Sequence, residues 1–242
     1  MTDYPIVLEG EIGSFAHGIN VGSSDHDYIR IVLEPLDTLL GIAAPLDTFR
    51  LRPRDEGARS QEGDTETTVY PLRKYVAMAA KGNPNSLPLL WTTNVNVPDT
   101  YGLTGIREQF IHKSMAYAHL RFAENLKQCL LGTRAPRVNR PELIEKYGFD
   151  TKTASHALRM LIQSCELSEL GTMSMPMTAE NRTRLIDVRN GLVPLKSILD
   201  EVDGLTAKLE SLIEGLPDTA DMGVVNAWLV EVYMRQRDEK RG

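Results

Sequence analysis

GSFAHGINVGSSDHDYIRI, residues 13–31, is the stretch on which the fold of this 242-residue chain turns. Gly13 and Ser14 form a turn, Gly18 follows, and Asp25 and Asp27 then enter an apolar run through Ile29, Ile31 and Val32. Side chains alternate along a strand, so the two aspartates share one face while His26 takes the other. Carboxylates this close repel unless a proton or a cation sits between them. A hard divalent ion such as Mg²⁺ takes oxygen ligands and would relieve that repulsion. The Gly13-Ser14 turn can offer backbone N–H groups and the Ser14 hydroxyl to a phosphate, the other common partner of Mg²⁺. A phosphate cradle beside a carboxylate pair points to nucleotide chemistry. The competing interpretation is a turn and a hairpin strand with a solvated acidic edge.

Outward from this stretch, residues 6–12 form a strand leading into the turn, and residues 28–33 a second strand ended by Glu34-Pro35. TETTVY, residues 65–70, is rich in β-branched side chains and makes a third short strand. Residues 52–63 are polar and glycine-bearing, which predicts a loop. From Pro71 the texture turns helical. One helix runs over 72–81 to a stop at Gly82, and Asn83-Pro84 caps and restarts another towards Trp91. A long helix follows over 113–131. GTRAPRVNRPE, residues 132–142, is linker-like. Beyond it lie helices after Pro141, over 151–170, after Thr178, over 194–214 and from Met222. The expected fold is α+β: a small mixed sheet with flanking helices in residues 1–132, then an all-helical domain in residues 133–242 that walls a cleft.

Gly13-Ser14, Gly18 and Ser24-Asp25-His26-Asp27-Tyr28 resemble the Gly-Ser…Asp-x-Asp motif of the DNA polymerase beta superfamily of nucleotidyltransferases. The segments TETTVYPLRKYVAMAAKGNPNSLPLLW, residues 65–91, and KYGFDTKTASHALRML, residues 146–161, are similar to landmarks of one subfamily, the RNA repair pathway DNA polymerase beta family. Together these motifs span the chain from Gly10 to about Glu210. The resemblance implies a nucleotidyltransferase catalytic unit in residues 1–132. Such an enzyme moves a nucleoside monophosphate from an NTP to an acceptor hydroxyl and releases pyrophosphate, with two Mg²⁺ or Mn²⁺ ions. RNA is the acceptor that the subfamily's description suggests, and a protein hydroxyl or a small molecule stays equally open. Two ions roughly 3.5–4 Å apart need more than two carboxylates. The third strand offers Asp64 and Glu66, with Glu66 better placed inside it, where relatives often carry aspartate. Asp25 and Asp27 would hold the ion that bridges the phosphates, and with Glu66 the ion that activates the acceptor. Ser14 and its neighbouring amides, with Gly13 making the turn, would grip the β- or γ-phosphate. His17 lies in the same turn, either against phosphate or bonded to backbone.

The helix expected over 151–170 has a testable geometry. At about 100° per residue, Lys152, His156, Arg159 and Gln163 fall on one face, and Ala154, Leu158, Leu161 and Cys165 on the opposite one. The polar face is either solvated or a basic wall closing over the triphosphate, with Arg159 forked onto a phosphate, Lys152 a point charge and His156 a hydrogen-bond partner. The two carboxyl-terminal helices carry apolar stripes and are expected to pack as an architectural pair. GNPN, residues 82–85, is explained by stop, cap and restart.

Net charge is −6 and the pI about 5.5, which argues against extensive non-specific nucleic-acid binding but leaves room for a local basic groove. Arg134, Arg137 and Arg140 form one such cluster, and Arg182, Arg184 and Arg189 another. No apolar run spans a bilayer, the amino terminus lacks a signal-peptide layout, and Cys129 and Cys165 suit packed, reduced thiols. A cytoplasmic protein is expected. Two rival classes share the same residues: a metal phosphohydrolase or nuclease whose carboxylates activate water, and a catalytically silent binding module.

Overall fold

The computed structural model describes residues 4–22, 24–42, 44–53, 63–136 and 140–239. In chain order the elements are β1 (Ile6–Ile12), α1 (Gly13–His17), β2 (His26–Val32), α2 (Leu36–Leu40), β3 (Phe49–Leu51), β4 (Thr65–Pro71), α3 (Leu72–Ala79), a 3-10 turn (Leu87–Leu90), β5 (Val95–Val97) and a 3-10 segment (Leu103–Phe110). Then come α4 (Lys113–Leu130), α5 (Pro141–Tyr147), α6 (Thr151–Leu170), α7 (Ala179–Arg189), α8 (Leu195–Ile213) and α9 (Met222–Glu239). The strands make one mixed sheet in the order β3-β4-β2-β1-β5. Only β2 and β4 run parallel, and their register sets Asp27 opposite Glu66. On the other side of β2, antiparallel pairing sets Asp27 opposite Ile12, the last residue before Gly13. The sheet is therefore α+β in class and brings the Gly-Ser segment, the aspartates and Glu66 to one end.

Two apolar clusters hold the molecule. The first joins Leu8, Ile29 and Ile31 of the sheet to Leu72 and Tyr75 of α3, the 3-10 turn, and Val225 and Val232 of α9. The second joins Ala116 and Ala123 of α4 to Leu158 and Leu161 of α6, Leu185 of α7, and Ile198 and Val202 of α8. The two carboxyl-terminal helices thus bury their apolar stripes in different clusters. The apolar stripe of α9 returns to the sheet unit, where Trp228 Nε1 donates to the Tyr101 carbonyl at 3.0 Å. The buried Glu34 carboxylate accepts the Leu72 and Arg73 amides at 2.8 and 3.3 Å and caps α3, an anion at a helix N-terminus.

Local differences from the sequence reading have local causes. Residues 13–17 close into a short helix rather than a plain turn, ended by Gly18 at φ 71°. Residues 83–90 form a turn and a 3-10 turn instead of a helix, because Pro84 and Pro88 each remove a backbone donor. The edge strands β3 and β5, three residues each, are too short to show alternation in sequence. The loop expected over 52–63 falls largely on residues 54–62, outside the described residues. Cys129 and Cys165 are free thiols, and burial pushes the Cys165 thiol up to about 11.

Candidate active site

Gly13 follows the last residue of β1 and faces the Asp27 side chain. Its φ is +73°, and a Cβ there would lie 2.6 Å from Asp27 Oδ2, so both the backbone conformation and the space require glycine. Phe15, one residue past Ser14, stacks on the His26 ring with centroids 4.0 Å apart. His26 Nδ1 in turn lies 2.6 Å from Glu11 Oε1. His26 thus works on the face opposite Asp27, as strand alternation requires, and fastens α1 to the sheet from behind.

A cleft of about 190 Å³ lies in front of this carboxylate pair. Gly13, Ser14, Asp25 and Asp27 line one side, and Lys152, His156, Arg159 and Arg189 line the other. Of the site residues named from sequence, Gly13, Ser14, His17, Asp25, Asp27, Lys152, His156 and Arg159 line it, and Asp64, Glu66 and Gln163 do not. The polar stripe of α6 is exposed at Lys152, half-buried at His156 and Arg159, and buried at Gln163, which is 2% exposed. Arg159 Nη1 donates to His17 Nε2 at 2.7 Å and to Gln163 Oε1 at 3.0 Å, and the Gln163 amide lies 3.0 Å from His17 Nδ1. His17 therefore bonds through its ring to side chains of α6 and not to backbone. Further ties fasten the same junction, with Met177 N donating to the His17 carbonyl at 3.2 Å and Arg189 Nη1 to the Ile19 carbonyl at 3.1 Å.

The electrostatics of the cleft are strongly polarised. Burial, then Asp25, then Glu66 raise the Asp27 carboxyl from 3.8 to about 6, with Lys152 opposing. A carboxylate held this unfavourably by its neighbours is one that a cation would stabilise, so Asp25 and Asp27 fit a divalent ion. Across the cleft, burial lowers Arg159 to about 10, leaving it charged at neutral pH. Partial desolvation and Arg140 lower the Lys152 ammonium, while Asp25 and Asp27 pull it back up. Desolvation, then Arg159, bring His156 to about 3, so its imidazole is neutral. Lys152, Arg159 and Arg189 have no ion-pair partner among the described residues. Three uncompensated cations facing two carboxylates suit a polyanion that carries its own metal.

Glu66 lies beside Asp27 across the ladder, yet its oxygens meet Arg50 Nη1 at 3.3 Å and Arg52 Nε at 3.2 Å. Among the described residues no three His, Cys, Asp or Glu side chains form a metal-holding group. Asp64 precedes β4, and its carbonyl accepts the His26 amide at 2.9 Å. Sequence reasoning missed Arg189 as a cleft residue. It was visible only as one of three nearby arginines, and no spacing on α7 distinguishes it from Arg184, which pairs with Glu201 at 2.5 Å.

Residues 1–226 match the model of the RNA repair pathway DNA polymerase beta family. No curated protein matches the chain. Among solved structures, a nucleotidyltransferase-like protein from Exiguobacterium sibiricum is 12% identical, with 98% of this chain and 76% of that chain covered and a TM-score of 0.31. A spectinomycin adenyltransferase from Enterococcus faecialis, solved with ATP and spectinomycin, is 12% identical over 86% of this chain and 93% of its own, with a TM-score of 0.39.

Proposed function

Because the chain belongs to the RNA repair pathway DNA polymerase beta family and is a nucleotidyltransferase, we propose that its cleft transfers a nucleoside monophosphate from an NTP to an acceptor hydroxyl, with RNA as the acceptor. The acceptor oxygen attacks the α-phosphorus, the bond from that phosphorus to the oxygen bridging to the β-phosphate breaks, and pyrophosphate leaves. The observation that supports this reading is the close approach of Gly13 to the Asp27 side chain, which leaves no room for a Cβ, at a cleft lined by Ser14, Asp25 and Asp27 and by Lys152 and Arg159. Asp25 and Asp27 would hold Mg²⁺ or Mn²⁺, which supplies charge neutralisation on the phosphates and a lowered hydroxyl pKa at the acceptor. Ser14, Lys152, Arg159 and Arg189 orient and neutralise the triphosphate, and His156 supplies a neutral wall. Glu66 would join Asp25 and Asp27 in holding a second ion in place of its pairs with Arg50 and Arg52, and Glu66 or water would take the acceptor proton. We also propose that the sheet unit of residues 1–132 carries the carboxylates and that the helical unit of residues 133–242 supplies the cationic wall.

The arginine pairs on Glu66 are the one observation that favours a silent binding module. A phosphohydrolase needs the same carboxylates without an acceptor. Incubation with each Mg·NTP and RNA separates the three. Pyrophosphate release is the expected result, orthophosphate release would replace the reading with hydrolysis, and binding without turnover would replace it with the silent module.

A further inference from the structure

A second cavity, of about 350 Å³, adjoins the cleft at His156, which lines both. One wall is a stripe of α4 at helical spacing, Phe122, Asn125, Leu126 and Cys129, and the other includes Asn85, Arg134 and Arg140. Asn85 is the last residue of GNPN, a motif that the active site leaves unexplained. The turn is rigid: Gly82 has φ 67°, and a Cβ there would strike the Met115 backbone at the start of α4. Asn83 Oδ1 also accepts the Asn85 amide at 2.9 Å. The motif thereby pins Asn85 against the α4 stripe, and its side-chain amide has no partner among the described residues.

We infer that this cavity is the base-binding subsite for the NTP whose phosphates occupy the cleft. The inference rests on the nucleotidyl-transfer reading above. Apart from its two imidazoles the cleft offers charge, with neither a phenyl ring nor a side-chain amide in its lining; the adjoining cavity offers both. Phe122 presents a ring, packed at 5.2 Å and tilted against His156. Arg134 Nη1 donates to Asn125 Oδ1 at 2.7 Å, which leaves the Asn125 NH₂ free to donate. Asn85 adds a donor and an acceptor at the rim. Size and lining match a small heteroaromatic ligand fixed by a few polar groups. The unpartnered, buried His156 Nε2 lies in the shared wall, a position where a bound ligand or water would complete its hydrogen bonding. Arg140, paired with Asp150 Oδ2 at 2.9 Å, lines the cavity, and Lys152 lines the cleft.

The test is titration calorimetry of the full chain with each Mg·NTP, with Mg·tripolyphosphate and with a short RNA oligonucleotide, for wild type, Asn85→Ala, Asn125→Ala and Phe122→Ala. Asn85 is exposed, so its replacement keeps the test open if Phe122→Ala fails to fold. The expected result is roughly tenfold weaker NTP binding in the Asn125 and Asn85 variants, the loss of about one hydrogen bond, with tripolyphosphate binding unchanged. Unchanged NTP affinity in every folded variant would overturn the subsite while leaving the cleft reading intact. A loss confined to a short RNA oligonucleotide would overturn its assignment to the donor. Wild type that binds neither NTP nor tripolyphosphate would overturn the transfer reading and the subsite together.

Discussion

Arg159 Nη1 lies 2.7 Å from His17 Nε2, so the helix that supplies the cationic wall is bonded directly to the helix that starts at Gly13 and Ser14. Both acceptors of this guanidinium, the imidazole and the Gln163 amide, are neutral. The contact fixes the two walls of the cleft relative to one another without neutralising the charge. Arg159→Leu should therefore leave His17 Nε2 and Gln163 Oε1 unpaired and destabilise the protein by about 1–3 kcal/mol. A double-mutant cycle with His17→Phe, read by denaturant unfolding, should give a coupling of roughly 0.5–3 kcal/mol. Additive effects would show that the contact does not form.

Gly13→Ala combines a left-handed backbone with a Cβ 2.6 Å from Asp27 Oδ2. The strain is worth roughly 1–2 kcal/mol of stability. The larger effect falls on function, because a displacement near 1 Å at a reacting centre costs on the order of 10²-fold in rate. Parallel thermal unfolding and transfer assays check both. Full activity in this variant would remove Gly13 from the account.

The Glu66 arginines set a prediction about metal. Arg52→Ala removes one cation from Glu66 and should raise Mn²⁺ affinity, measured by calorimetry with a non-hydrolysable NTP, by roughly three- to tenfold. An unchanged affinity would mean that Glu66 takes no part in holding the ion.

The fold was legible in sequence wherever periodicity ran long. The α6 stripes, the Pro141 and Thr178 helix starts and the strand carrying Asp27 all follow from spacing and capping, and Asp150 caps α6 by accepting the Thr153 amide at 3.0 Å. The candidate site was legible where chemistry is local, as in Gly13, Ser14, Asp25 and Asp27. Its remaining parts depend on which surfaces meet. Nothing in a helical wheel distinguishes a solvated polar face from one buried against His17, and nothing near Glu66 in sequence announces Arg50, which only the β3–β4 ladder brings alongside.

Four histidines make stability pH-dependent. His17 lies well below 6.5, His112 below it, and His119 and His156 near 3, each mainly through burial. The unfolded chain therefore takes up these protons first. Stability is complete above about 6.5 and is lost as pH falls from there towards 3, by up to about 1.4 kcal/mol per pH unit per group. Asp27, raised to about 6 in the fold, works in the opposite direction as it protonates. Four imidazoles outweigh one carboxylate, so unfolding at pH 5.5 should be easier than at 7.5 by roughly 3–4 kcal/mol. Urea titrations at the two pH values check the sign, and equal or greater stability at pH 5.5 would refute it.

The central claim is that Asp27, set against Gly13 and facing the α6 cations, is the anchor of nucleotidyl transfer. The most direct measurement is transfer of α-labelled NTP to an RNA bearing a free hydroxyl, with Mg²⁺, by wild type and Asp27→Asn. The account predicts label in the RNA, one pyrophosphate per label, and a loss of at least roughly 10³-fold in a folded Asp27→Asn variant. Transfer that survives this substitution, or no transfer by wild type to any acceptor hydroxyl, would contradict it.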